Sequence, residues 1–208
     1  VNAARRYHLP GEHDQLDHTP KSLRGQGGAA DAETKHRRQF IAGAKAAQAE
    51  EQKLIGLTDH EEMRVFDSRG RLIGTGRGDQ NTVNVPESAL GKLKNSTITH
   101  NHPGGDAFSR TDVALAIGHN LREMRAVAAD GSFVYILRRP PTRWPSIPTM
   151  EAAYREADSA AFGKIMDKVM AKEILAEEAD KMHRHIVWTT VAEKLKLDYQ
   201  RVRLKRAA

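Results

Sequence analysis

The stretch Ser96-Thr97-Ile98-Thr99-His100-Asn101-His102-Pro103-Gly104-Gly105-Asp106-Ala107-Phe108-Ser109-Arg110-Thr111-Asp112 decides how the rest of the chain is read. Ser96 to Thr99 is rich in β-branched side chains and predicts a strand. Alternate residues of a strand point the same way, so His100 and His102, at its C-terminal end, offer two imidazoles to one ion. Pro103, Gly104 and Gly105 make Asn101 to Phe108 a loop. A helix follows from Ser109 to Asn120, with Val113, Ala116 and Ile117 inward and Asp112 on its first turn. That turn returns a carboxylate to the imidazole pair. Two His, one carboxylate and an open fourth position form a catalytic zinc set, in which the metal lowers the pKa of its water to around 7. Ser109-x-x-Asp112 also has the spacing of a capping box with Ser109 as N-cap. The two uses are compatible, because a capped first turn holds Asp112 rigidly.

Working outward, Met63 to Asp67 and Arg71 to Thr75 predict a hairpin about Ser68-Arg69-Gly70. Thr82 to Val85 reads as a further extended piece, and Pro86 as the start of a helix with Ala89, Leu90 and Leu93 on its apolar face. Arg125 to Ala129 and Ser132 to Leu137 form a second hairpin around Asp130-Gly131. These pieces make 58–138 an α/β domain. Before it, 1–31 reads as a flexible tail holding Pro10-Gly11, Pro20 and Gly25-Gln26-Gly27-Gly28, and 32–57 as a helical segment with Phe40, Ile41, Ala44, Ala47 and Leu54 in register. After it, 139–148 is a Pro-rich connector and 149–208 a helical C-terminal region. There, one long helix is predicted from Thr149 to about His183, with Phe162, Ile165, Met166 and Val169 on its apolar side. A short helix from Thr189 to Leu197 ends the series.

The bulk composition narrows the chemistry. No cysteine is present among the 208 residues, so a metal must be held by His, Asp or Glu, and thiol chemistry is excluded. No apolar run approaches the ~18–20 residues a membrane span needs, and no signal-peptide core stands at the start. A cytoplasmic location is expected, or association with a phage particle. The first residue is Val1, which fits a processed product or a piece of a longer chain. The net charge of +6 permits acidic partners, nucleic acid among them, but the basic residues are interleaved with acids apart from Arg201-Val202-Arg203-Leu204-Lys205-Arg206. Of the other histidines, His183 and His185 lie two apart on a predicted helix and do not share a face. His60 and His119 read as surface residues or neighbours of the site, and His8, His13 and His18 as part of a solvated tail.

The run His100-Asn101-His102-Pro103 through Ser109 and Asp112 resembles the signature of JAB/JAMM zinc metalloproteases, which include deubiquitinating isopeptidases, bacterial relatives and RadC-type proteins. The resemblance covers about 58–138. It implies a mixed β-sheet core, cytidine-deaminase-like, flanked by helices. The spacer from His102 to Ser109 is one residue shorter than the familiar eukaryotic pattern, similar to bacterial, phage and toxin-associated members. The resemblance further implies Zn2+ on His100, His102 and Asp112, hydrolysis of an amide bond, and Ser109 as a donor to the developing oxyanion. It also implies a glutamate on the first strand as general base. Glu61 and Glu62 both stand at the mouth of that strand, and alternation lets only one of them face the site; the spacing of Glu61 to Asp67-Ser68-Arg69-Gly70 is similar to that of related domains. Asn101 faces away and reads as structural. The substrate would be a peptide or protein, a ubiquitin-like conjugate among the options. Leu9 to Gln15 and Trp188 to Tyr199 are similar to regions near Mu-type phage head morphogenesis proteins. The alternative is therefore a non-catalytic phage or mobile-element module that binds nucleic acid or protein.

Overall fold

A computed structural model of the protein describes residues 41–204. The tail 1–31 with His8, His13 and His18, the opening of the helical segment before 41, and Lys205 and Arg206 lie outside the described residues. The architecture is α/β, a six-stranded mixed open sheet flanked by helices. In chain order the elements are helix α1 over 41–51, β1 Glu62–Phe66, β2 Leu72–Arg77, α2 Glu87–Leu90, β3 Thr97–His102, α3 Arg110–Gly118, β4 Glu123–Ala128, β5 Phe133–Arg138, α4 Ile147–Met170, α5 Ala176–Leu195 and β6 Asp198–Arg203. The strands lie in the order β2-β1-β3-β4-β5-β6. The pair β3–β4 is parallel and the other pairs are antiparallel. Parallel neighbours need a crossover, and α3 provides it.

Strand alternation sorts the two faces. Met63, Val65, Ile98, Met124, Ala126, Tyr135 and Leu137 pack with α3, α4 and α5 in one core. Val127, Val134 and Ile136 face the opposite way, against Leu54 in the turn after α1. On that second face α1 is also held by charge. Glu51 pairs with Arg125, which donates to Glu123 at 2.8 Å, and Arg138 donates to Glu123 at 2.6 Å. Glu123 is fully buried, so these partners are what make its charge tolerable there.

The C-terminal region departs from the periodicity in three ways. Instead of one helix from 149 to 183 there are two, α4 and α5, joined at 171–175. Lys172 ends the first in a left-handed conformation, φ 59°, and its neighbour Glu173 donates to the Lys168 carbonyl. No Gly or Pro marks that stop. The buried side of α4 is Met150, Ala153, Ala157, Ala161 and Ile165, while Phe162 and Met166 are exposed and Val169 is only partly covered. Alanines win that face because α5 folds back closely against it. The region is also not wholly helical: Asp198–Arg203 is strand β6, which pairs with β5 and completes the sheet. At the sheet's other end, Thr82 to Val85 forms no strand. It crosses the glycines of β2's margin, where a Cβ on Gly78 would stand 1.8 Å from the Thr82 carbonyl oxygen. Among the described residues no helix is long and apolar enough to cross a membrane.

Trp188 of α5 joins the helical layer to the loop after β3. It is 1% exposed, lies 5.1 Å from the Tyr154 ring, and donates its indole N–H to the Phe108 carbonyl at 2.6 Å. Trp188→Ala should lower unfolding free energy by about 3–5 kcal/mol, the range for emptying a large aromatic site. Denaturant unfolding checks this, and a loss under about 1 kcal/mol would contradict the anchoring role.

Candidate metal centre

Parity on β3 places His100 and His102 on the same face as Ile98, toward α3. Ser109 caps α3 as its spacing predicts: its hydroxyl accepts from the Asp112 amide at 3.1 Å, and its own amide donates to Asp112 Oδ2 at 2.7 Å. The capped turn brings Asp112 over the imidazoles. His100 Nε2 and His102 Nε2 are 2.9 Å apart, and each lies 3.4 Å from one Asp112 oxygen. These three residues can hold a metal ion, and among the described residues no other His, Asp or Glu group is gathered in this way. Tetrahedral ligands at zinc's usual distances stand roughly 3.3 Å from one another, so the spacing suits one small cation.

The chemistry of the donors points the same way. His102 Nδ1 faces the Asp106 carbonyl at 3.0 Å and donates to it, which leaves Nε2 as the nitrogen turned toward His100 and Asp112. His100 is fully buried, and its Nδ1 has no hydrogen-bond partner. Two imidazole nitrogens this close cannot both present lone pairs without a proton or a cation between them. Burial opposes charge on His102, yet contact with Asp106 and Asp112 outweighs it and pushes the imidazole up to about 10. Burial would likewise raise Asp112, but His100 and His102 hold its carboxyl well below the usual range. Both shifts describe a site that concentrates charge of both signs out of water.

The two glutamates separate cleanly. Met63 pairs with His100 across β1 and β3, so continuing that register places Glu61 opposite His102 and on the same face. Burial pushes the Glu61 carboxyl up against the pull of His100 and His102, with Asp112 and Asp106 adding to the rise. Glu62 points to the other face, 3.2 Å from His60 Nε2 and 3.2 Å from Arg64. The structure thus gathers His100, His102, Asp112, Ser109 and Glu61, and leaves Glu62 outside. Ser109's hydroxyl proton is directed to Asp112 Oδ2 at 2.8 Å. As it stands, the group orients the carboxylate.

Compared with protein-family models, curated proteins and solved structures, the chain matches none.

Two residues that the motif reading passed over also hold the centre. Asp106 places Oδ1 3.3 Å from His102 Nδ1, and its other oxygen pairs with Arg184 of α5. A carboxylate behind a ligand histidine fixes ring orientation and raises basicity. Its spacing of four from His102 inside the loop was a readable signal. Arg184 gave none, because its partner lies far upstream in sequence.

The remaining histidines serve other ends. His60 lies between Asp59 at 2.7 Å and Glu62, and contacts with Glu62 and then Asp59 raise its pKa. His119 is the exposed C-cap of α3. His183 is 3.5 Å from Asp158, and His185 Nδ1 is 3.0 Å from the Tyr199 hydroxyl. Burial, with Arg201 adding, pushes His185 down to about 4. Unfolded, it titrates near about 6.5, so the unfolded chain binds more protons between the two values. Its contribution is complete above about 6.5 and is lost as pH falls toward about 4. His185→Gln should flatten the fall in melting temperature over that window; an unchanged slope would rule His185 out as the source.

Proposed function

We propose that the protein is a zinc-dependent peptidase or isopeptidase of JAB/JAMM type, acting on a peptide or protein amide bond. The observation that carries the reading is the convergence of Glu61 with His100, His102 and Asp112 on one buried face, from segments about 40 and 10 residues apart in the order the resemblance implies. Zinc is the fitting ion because the donors are two imidazoles and one carboxylate with no thiolate. A bound zinc supplies Lewis acidity and an activated water near neutral pH.

The chain's own groups divide the remaining work. Glu61 is a carboxyl raised by burial, suited to accept a proton and return it to a leaving amine. Asp112 is held at two points by Ser109, and His102 is held by Asp106, so the ligands keep their places without a substrate. Ser109 carries one hydroxyl proton, now donated in a hydrogen bond to Asp112 Oδ2; to serve an oxyanion it must turn that proton away, with the Ser109 amide still holding the carboxylate.

Two variants test this. Protein purified without added zinc should carry about one equivalent of metal, and His102→Ala should lose most of it, because one of three ligands is gone. Glu61→Gln should keep the metal while hydrolysis of a mixed set of linear and lysine-branched peptides falls by about 10²–10⁴-fold. Equal, near-zero occupancy in wild type and His102→Ala would sink the metal centre. Metal without any hydrolysis across the peptide set would sink the peptidase.

A further inference from the structure

Asn101 lies between the two ligand histidines and faces the opposite side of the sheet. It is fully buried. Its Oδ1 accepts from the Glu62 amide at 2.6 Å, and its Nδ2 donates to the carbonyls of Leu57 and His60 at 2.8 Å each. Both amide protons are therefore used, and all three bonds reach 57–62, the short segment that leads into β1 and includes its first residue, Glu62.

Among the described residues, no other side-chain hydrogen bond ties that segment to β3. The β1–β3 ladder runs from Phe66↔Thr97 to Met63↔His100 and stops there. Glu61's own backbone bonds go the other way, from its amide to the Asp79 carbonyl at 2.7 Å and from the Gly78 amide to its carbonyl at 2.9 Å. Those bonds fix Glu61 relative to the β2 side, away from the histidines. Past the end of the ladder, the Asn101 side chain continues the link between β3 and the residues on both sides of Glu61.

We infer that Asn101 is a positioning residue: its carboxamide fixes the distance between Glu61 and the metal ligands. The inference rests on the reading of Glu61 as the proton acceptor beside the metal. Asn101 touches neither the ion's place nor Glu61's carboxylate. It couples the two because its backbone is one residue from each ligand and its side chain holds the residues on both sides of Glu61. Asn and Asp are nearly the same shape, but Asp keeps only the acceptor. Leu keeps the bulk and loses every bond.

The test compares wild type, Asn101→Leu, Asn101→Asp and Glu61→Gln, each as the full chain. Amide exchange in the zinc-loaded protein is followed by NMR. Cobalt(II) in place of zinc gives a spectrum whose pH dependence reports groups near the ion. Asn101→Leu should keep one equivalent of metal and speed exchange of the Glu62 amide about tenfold or more, in line with losing a buried hydrogen bond. Its cobalt pH profile should depart from wild type as that of Glu61→Gln does. Asn101→Asp should protect the Glu62 amide better than Leu while showing the same altered profile, and it carries the test if the Leu variant does not fold. Unchanged exchange, a wild-type cobalt profile, or loss of metal from both Asn101 variants would overturn the inference; the last outcome would make Asn101 a residue that shapes the ligands themselves. If Glu61→Gln itself keeps the wild-type profile, the reading of Glu61 fails separately, and Glu62 exchange alone then decides the clamp.

Discussion

Two imidazole nitrogens 2.9 Å apart, on residues at most 4% exposed, constrain everything around them. Water cannot relieve their repulsion, so the site needs a cation or a shared proton, and it needs an anion to balance that charge. Asp112 is the anion, delivered by a helix cap. Asp106 fixes the tautomer of His102 from behind. Arg184 in turn pairs with Asp106, and Trp188 takes the Phe108 carbonyl, so α5 braces the loop that carries the cap. The C-terminal helices thus belong to the architecture of the centre, although none of their residues is among the proposed ligands.

The sheet explains why the centre is where it is. Among the described residues β3–β4 is the parallel pair, so the chain must leave the carboxyl end of β3, cross through α3 and return. Open α/β sheets commonly bind ligands in the crevice beyond the carboxyl ends of their strands. One strand then does two jobs by parity alone. His100 and His102 face α3 and the candidate metal centre, while Asn101 between them faces α1's side and holds the segment that carries Glu61.

The gathering of His100, His102 and Asp112 was the most legible arrangement in the sequence because its signals are local. Strand, glycine turn and capping box fall within 17 residues, and each carries its own geometry. The choice between Glu61 and Glu62 was also latent, since pairing Met63 with His100 puts Glu61 on the face of the two histidines; what was missing was the register between β1 and β3. The C-terminal region was poorly legible for a different reason. The break at Lys172 uses a left-handed residue with no Gly or Pro to announce it. Arg201-Val202-Arg203 reads as a basic tail, yet it forms strand β6 through pairing with β5, where Arg201 stacks 3.5 Å over Phe133. Tertiary pairing overrode composition there, and no local pattern could have forecast it.

The central claim is that His100, His102 and Asp112 hold one zinc ion. X-ray absorption at the zinc edge, on full-length protein loaded with one equivalent, tests it most directly. The expected spectrum is a shell of about four nitrogen and oxygen ligands near 2.0 Å, with the outer-shell scattering of two imidazoles. A spectrum without imidazole scattering, or one unchanged in His102→Ala loaded with the same single equivalent, would contradict it.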